Sequence, residues 1–321
     1  MSLPQYDDAQ VEASVPVPAA LTALRAAFIA AHEGKAMAVP KTMLQWEDLP
    51  DSGVSSAHAL GAVDLVAQRL AFKYWVNTPR GAEALLTLFD TDRGAACAAM
   101  AAGALGMLRT SGTAALVTDA LTAPDADRLA VLGTGRQAMH QVRAVAEVRS
   151  LNEVRIWSRD ADHRRAFAER VHTELGLKVA VYDSVTETVR DVPIVTAVTR
   201  AREPFLDLDD LADGVHLNAL GAILPTHREL LPGVVEAAGL IVVDDRDNAR
   251  RAAAELHAAD VDLDAVTTLG QLLAEGTARP AGCRLTLFKA LGSGIGDLAV
   301  AGAAHAELLA SPSAENQTQE G

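Results

Sequence analysis

Two local patterns in this chain hold residue types suited to chemistry. The first begins with the apolar run Leu129–Leu132 and continues through Gly133-Thr134-Gly135. A helical spacing of apolar residues follows (Ala138, Val142, Val145, Val148), then a second apolar run, Val154–Trp157. Strand, glycine turn, helix and strand together form the unit that cradles a dinucleotide pyrophosphate. Gly133 allows the tight turn and Gly135 lets the backbone approach the phosphates. Ala138, where a third glycine usually stands, still permits close helix–sheet packing. Amide donors at the helix start face the phosphates, aided by the helix dipole. An acid at the end of the second strand would bind the ribose 2′-hydroxyl of NAD. Ser158 and Arg159 stand there instead, with Asp160 one step later. A guanidinium pairs with phosphate through a bidentate fork, so these residues predict NADP(H) over NAD(H); an ordinary surface arginine is the alternative.

The second pattern is Lys73 within the otherwise apolar strand Leu70–Val76. A buried charge needs a partner or a task; strict alternation would instead turn the lysine outward to solvent. Arg109, after Met107-Leu108 at the start of a helix, raises the same choice between a ligand-binding cation and a structural ion pair. Neither the nine histidines nor the two cysteines, Cys97 and Cys283, show metal-ligand spacing. No metal site is expected, and the cysteines read as buried reduced thiols.

These residues need elements to position them, and the chain divides into three parts. The first, 1–121, holds an amphipathic helix from Pro18 to Glu33 (apolar at Leu21, Leu24 and Phe28) closed by Gly34. Extended segments Leu70–Val76 and Ala84–Phe89, a turn at Asp90–Gly94 and an alanine-rich helix near Leu105–Leu121 follow. The second part, 122–285, alternates helices with strand runs Leu129–Leu132, Val154–Trp157, Val179–Tyr182, Ile194–Val198, Val215–Ala219 and Leu240–Val243. That alternation predicts an α/β fold with a doubly wound parallel sheet. The third, 286–310, is a short strand and an apolar helix too hydrophobic to stand alone, which must pack on the first part or on a second subunit. Residues 311–321 are polar and expected to be disordered. The apolar surface of the first part and of the helix after Leu291 predicts a homodimer. With 28 basic against 42 acidic residues the net charge is −14, which argues against a nucleic-acid or anionic-membrane partner. No run reaches membrane-span length and the N-terminus lacks the build of a signal peptide, so a cytoplasmic enzyme is expected.

Along nearly its whole length the chain resembles the ornithine cyclodeaminase/μ-crystallin family. The matching pieces are Phe72-Lys73-Tyr74 with Val76-Asn77 and Pro79, Leu88-Phe89-Asp90, and Leu108-Arg109-Thr110. Further on come Gly133-Thr134-Gly135-Arg136-Gln137-Ala138, Asn218-Ala219-Leu220-Gly221-Ala222, Arg228-Glu229-Leu230 and Leu287-Phe288-Lys289. The resemblance implies a dinucleotide-binding domain and a second, α+β substrate and dimerisation domain built from both chain ends. It implies that Arg109 and Lys41 hold a substrate carboxylate while Lys73 stands beside the reacting carbon as the catalytic residue. For the cofactor it implies the loop Gly133, Thr134, Gly135, Arg136, Gln137 and Ala138, with Ser158 and Arg159. Thr110 and the strand ends Val198, Thr199, Ala219 and Gly221 complete that set.

Two departures bear on the reaction. Lys41 replaces an arginine, keeping charge but losing the fork, and Ile223 replaces the aspartate that the cyclodeaminases carry after Gly-Ala. Three readings stand. One is an NAD(P)-dependent oxidoreductase acting on an amino or imino acid, which consumes reduced cofactor. The second is a cyclodeaminase-like lyase that recycles its cofactor. The third is a non-catalytic protein that binds NADPH or a small ligand.

Overall fold

Alternation of burial along the first part builds a full sheet where the sequence displays only two extended segments. The computed structural model describes residues 3–47 and 54–310; the expected disordered tail, 311–321, lies outside the described residues. Six strands form the first sheet: β1 (Gln5–Tyr6), β2 (Ala36–Glu47), β3 (Val54–Asp64), β4 (Arg69–Thr78), β5 (Gly81–Asp90) and β6 (Ala95–Ala101), in the order β1-β6-β5-β4-β3-β2. Only the β1–β6 pairing is parallel. β6 reads Ala-Ala-Cys-Ala-Ala-Met-Ala, a composition that favours helix; pairing on both sides overrides it.

Side chains alternate across this sheet. Leu60, Lys73 and Leu86 stand in one inward-facing row, with His58, Trp75 and Ala84 in the next. A register shift between Val39 and Thr42 leaves Pro40 and Lys41 both opposite Leu60, the kind of bulge that re-aims a side chain beside a site. The outer face carries Phe72, Tyr74, Val76 and Leu85, all exposed.

The second sheet has eight strands, all parallel: β7 (Arg128–Leu132), β8 (Glu153–Trp157), β9 (Val179–Val181), β10 (Ile194–Ala197), β11 (Val215–Ala219), β12 (Ala238–Val243), β13 (Thr267–Thr268) and β14 (Leu285–Lys289). Their order is β13-β12-β14-β11-β10-β7-β8-β9, so the direction of winding reverses between β7 and β10, where such sheets place their ligands. One boundary differs from expectation. The short strand after Arg284 belongs to the centre of this sheet, between β11 and β12, and the chain leaves it only after Lys289. Strand and helix adjoin in sequence, so their different destinations leave no local mark.

Helix Gly103–Leu121 joins the two sheets. It packs on helix Val17–His32 and contacts β5, β11 and β14. Its first turn is capped from a distance, the Ala104 amide donating to Asp8 Oδ1 at 2.7 Å. A buried polar seam ties it to the second sheet: Asn218 donates to Thr118 Oγ1 at 3.0 Å, and His216 lies between Asn218 and Thr286. Burial holds the His216 imidazole neutral, its pKa lowered to about 3.

The C-terminal helix Gly294–Ala310 returns under the first sheet. A Cβ on Gly294 would collide with the Gly61 carbonyl, so glycine is needed for this helix to abut β3. Its apolar side is buried within its own chain, in one core with Leu24, Phe28, Leu86 and Leu105. It therefore packs back on the first part, the first of the two places that its composition allows. Cys97 and Cys283 are half-buried rather than fully buried, and both are free.

Candidate active site

Between the two sheets runs a cleft of about 1100 Å³. Its floor at one end is the turn after β7. Gly133 has φ +114° and donates its amide to the Trp157 carbonyl at 2.7 Å. Gly135, by contrast, is exposed, has no positive φ, and would place a Cβ within 4 Å of nothing. No constraint inside the protein demands glycine there; space for a ligand that approaches the backbone does. Gln137 reaches across from this turn and donates to the Met107 carbonyl at 3.0 Å, fixing the turn to the joining helix.

Past β8, Ser158 accepts from Thr134 and donates to the Asp160 carbonyl. The Asp160 carboxylate caps helix Ala161–Leu175 through the His163 amide at 2.8 Å, so this acid is occupied by the fold. The wall around it is cationic. Among the described residues Arg136, Arg159 and Arg200, all on the cleft lining, make no side-chain hydrogen bond or ion pair. In a chain of net charge −14, that local excess is the cluster an anionic ligand would need.

At the other end Lys73, Arg109 and Lys41 converge. Lys73 Nζ lies 2.9 Å from Asp297 Oδ1, and the two side chains are 8% and 1% exposed. Arg109 Nε is 3.4 Å from the same oxygen, while its outer nitrogens stand against Gly292 and form no hydrogen bond among the described residues. The Nζ atoms of Lys41 and Lys73 lie 5.2 and 5.5 Å from the Trp75 ring centroid, and the ring of His58 stacks on Trp75 at 4.6 Å. Burial lowers the pKa of Lys73, and Arg109 adds to it; Asp297 opposes both. Burial also lowers Lys41, helped by Arg109, Arg251 and Lys73.

Loops on both walls are held by carboxylates that accept backbone amides. Glu229 takes Thr199 N (2.6 Å), Thr199 Oγ1 (2.7 Å), Gly221 N (2.9 Å) and Ala222 N (3.3 Å). Burial pushes its carboxyl up, against the pull of Lys289, which pairs with Glu255 at 2.5 Å where neither side chain is exposed. Asp244, at the end of β12, accepts Leu291 N (2.8 Å) and Gly292 N (2.7 Å). Asn248 Nδ2 donates to the Gly292 carbonyl at 2.6 Å, and Arg251 donates to the Lys41 carbonyl at 2.6 Å.

Of the expected site residues, Lys41, Lys73, Arg109, Thr110, Gly133, Thr134, Gly135, Arg136, Gln137, Ser158, Arg159, Val198, Thr199 and Gly221 all line this cleft. Ala138 and Ala219 do not: both are fully buried in the hydrophobic core. Ile223 lines the cleft with 44% of its surface exposed. Sequence reasoning missed Asp297, Trp75, Asp244 and Glu229. Asp297 carried the signal that exposed Lys73, a lone charge inside an apolar run (Gly-Ile-Gly-Asp-Leu-Ala-Val).

The model of the ornithine cyclodeaminase/mu-crystallin family matches residues 6–311. Ketimine reductase mu-crystallin of Mus musculus is 33% identical over 220 residues, covering 68% of this chain and 67% of that protein. Delta(1)-pyrroline-2-carboxylate reductase of Bacillus cereus (strain ZK / E33L) is 28% identical over 227 residues, 68% of each. Among solved structures, Thermococcus litoralis Delta(1)-pyrroline-2-carboxylate reductase in complex with NADH and L-proline shares the fold with a TM-score of 0.88. It is 22% identical and covers 96% of this chain and 98% of that one. An archaeal alanine dehydrogenase dimer with bound NAD also has a TM-score of 0.88, at 24% identity and 97% coverage of both chains.

Asp244 has a consequence for stability. Burial raises its pKa from 3.8 to about 6, against the pull of the two amides and Arg109. The folded state therefore holds this proton between pH 4 and 6 while the unfolded chain has lost it, so stability falls as pH rises through that window. The full cost at neutral pH is on the order of 3 kcal/mol. Urea unfolding of the wild type and of Asp244→Asn at pH 4.5 and 7.5 should show the variant gaining relative to the wild type by about 2 kcal/mol across that interval. A pH-independent difference would place the Asp244 carboxyl at an ordinary pKa.

Proposed function

The chain belongs to the ornithine cyclodeaminase/mu-crystallin family, and from that premise we propose that it is an NAD(P)-dependent oxidoreductase. Its reaction is hydride transfer to the C=N carbon of an imino acid, or in reverse from the C–N carbon of the amino acid. The observation that carries this reading is the convergence of Lys73, Arg109 and Lys41 at one end of a cleft whose other end is the Gly133–Gly135 turn. When bound, the reduced nicotinamide supplies the hydride. Thr110, Val198, Thr199 and Gly221 line the cleft between the turn and the cations and are the residues that would hold the nicotinamide half. The outer edge of Arg109, with Lys41, grips the substrate carboxylate. Lys73 holds the proton for the substrate nitrogen. Ile223 can neither titrate nor balance an ammonium, and Lys41, Lys73 and Arg109 converge on the substrate end of the cleft. A substrate with a second amine fits poorly, which counts against cyclodeamination of a diamino acid.

The assay is oxidation of NADPH by a cyclic imino acid such as pyrroline-2-carboxylate, followed by absorbance. Lys73→Ala should lower kcat by about 10²–10⁴-fold and leave NADPH binding intact, whereas Arg109→Ala should act chiefly on KM. Normal turnover by Lys73→Ala would overturn the mechanism. Tight cofactor binding with no imine reduced would leave a binding protein.

We assign a preference for NADP(H) to Ser158 and Arg159, supported by the unpaired Arg136 and Arg200 nearby and by the diversion of Asp160 to helix capping. Arg159→Ala should weaken NADPH binding by about 1.5–3 kcal/mol and barely change NADH binding, as measured by calorimetry. Equal affinity of the wild type for both cofactors would refute the assignment.

We also propose a homodimer through the outer face of the first sheet, where Phe72, Tyr74, Val76 and Leu85 are 38–45% exposed. An apolar sheet face of this kind marks an interface. Light scattering should give the mass of two chains, and the double substitution Phe72→Asp, Tyr74→Asp should give one. A monomeric wild type at micromolar concentration would exclude the dimer.

A further inference from the structure

We infer that Asp297 is a positioning residue for the reaction proposed above, holding Lys73 as a proton donor and aiming Arg109 with the same carboxylate. The inference rests on that reading of the cleft but is tested separately from it.

The geometry is asymmetric. Asp297 Oδ1 meets Lys73 Nζ at 2.9 Å and faces Arg109 Nε at 3.4 Å. Oδ2 is buried with no hydrogen-bond partner among the described residues. The carboxylate thus occupies the inner edge of the guanidinium and leaves the two outer nitrogens for a substrate. As a means of stability this arrangement is poor. Buried ion pairs are commonly matched or bettered by apolar residues of similar volume, and a carboxylate with one idle oxygen is a weaker case still. Position favours the charge, since Asp297 lies in the first turn of helix Gly294–Ala310, at the positive end of its dipole.

Burial and a neighbouring guanidinium act against the Lys73 proton, while the Trp75 ring face favours it. Arg109 faces it from helix Gly103–Leu121 and Lys41 from β2, while Leu60 and His58 approach from β3, Trp75 from β4 and Leu86 from β5. Burial and the cations all favour the neutral amine, and the C-terminal helix alone contributes a carboxylate at contact distance among the described residues. In the reductive direction the Lys73 Nζ–H bond breaks and an N–H bond forms at the substrate nitrogen, while the carbon accepts hydride from the reduced nicotinamide. Lys73 is left neutral beside an unchanged Asp297 carboxylate and regains its proton from water in the cleft. Without that carboxylate Lys73 loses its proton at lower pH, before it can donate.

Two readouts test this. In imine reduction, Asp297→Asn should move the alkaline limb of the kcat/KM–pH profile down by at least about one unit, a tenfold loss at a pH on that limb. Asp297→Glu should move it back toward the wild type. The second readout uses no substrate or cofactor: trace acetylation of Lys73, followed by mass spectrometry across pH, reports the fraction of neutral amine. Its midpoint should fall by the same interval in Asp297→Asn. If that variant does not fold, Asp297→Ser, which also removes the carboxylate, should lower the acetylation midpoint in its place. An unchanged midpoint in every folded variant overturns the inference, whatever the activity. A shifted midpoint in a protein that reduces no imino acid upholds the role of Asp297 and removes the proposed reaction instead.

Discussion

A lysine and an aspartate separated by 224 positions meet where both are nearly withdrawn from water, and the architecture follows from that requirement. Each ion alone would cost several kcal/mol to bury. Lys73 can sit on the inner face of β4 only if the C-terminal helix comes back beneath it, and Asp297 can sit in an apolar helix only if β4 offers an ammonium. The chain must therefore leave the second sheet after β14 and cross to the first. The crossing residues Ala290, Leu291 and Gly292 become part of the cleft wall. Gly292 stands against the outer edge of Arg109, so the path of the crossing and the aim of that guanidinium are one geometric fact.

Three carboxylates perform a related task around the cleft, each accepting backbone amides from a loop or helix start that would otherwise be free to shift. Asp8 takes the first turn of the joining helix, Glu229 the loops after β10 and β11, and Asp244 the crossing segment. Charge-assisted bonds of this type are shorter and stronger than neutral ones. They place rigid backbone on both sides of the space where geometry has to be held closely. Much of what makes this chain acidic lies on its surface, yet these few acids work inward as anchors.

The fold was readable to different depths in its two halves. Parallel strands buried on both faces appear as continuous apolar runs, so six strands of the second sheet stood out. β13 has two residues, and β14 was seen but credited to the wrong neighbour. The first sheet was harder. β2 and β3 carry mixed polar and apolar residues, and β6 is mostly alanine, whose preference for helix only tertiary pairing can reverse. In the site, the glycine turn and Lys73 announced themselves by pattern. Asp297 announced itself equally but had no partner in view, because partnership across 224 positions is a property of the crossing and not of any window of sequence. Asp244 was silent for a simpler reason, since an acid that binds amides looks like any other acid, and Glu229 stood in the Arg228-Glu229-Leu230 match with no role attached.

The return of the last helix also sets an order of events during synthesis. The first sheet is complete in sequence by Ala101, but the helix that covers its inner face begins only at Gly294. At about 5–20 residues per second the ribosome needs roughly 10–40 s to make the intervening stretch. Throughout that interval β3 and β4, the strands on which the last helix chiefly packs, lack their cover, with an unpaired lysine among them. The apolar outer face is exposed over the same period. Two open faces on one early sheet are a hazard for association between neighbouring nascent chains. A charge stranded on the inner face works against such contacts until Asp297 arrives to neutralise it.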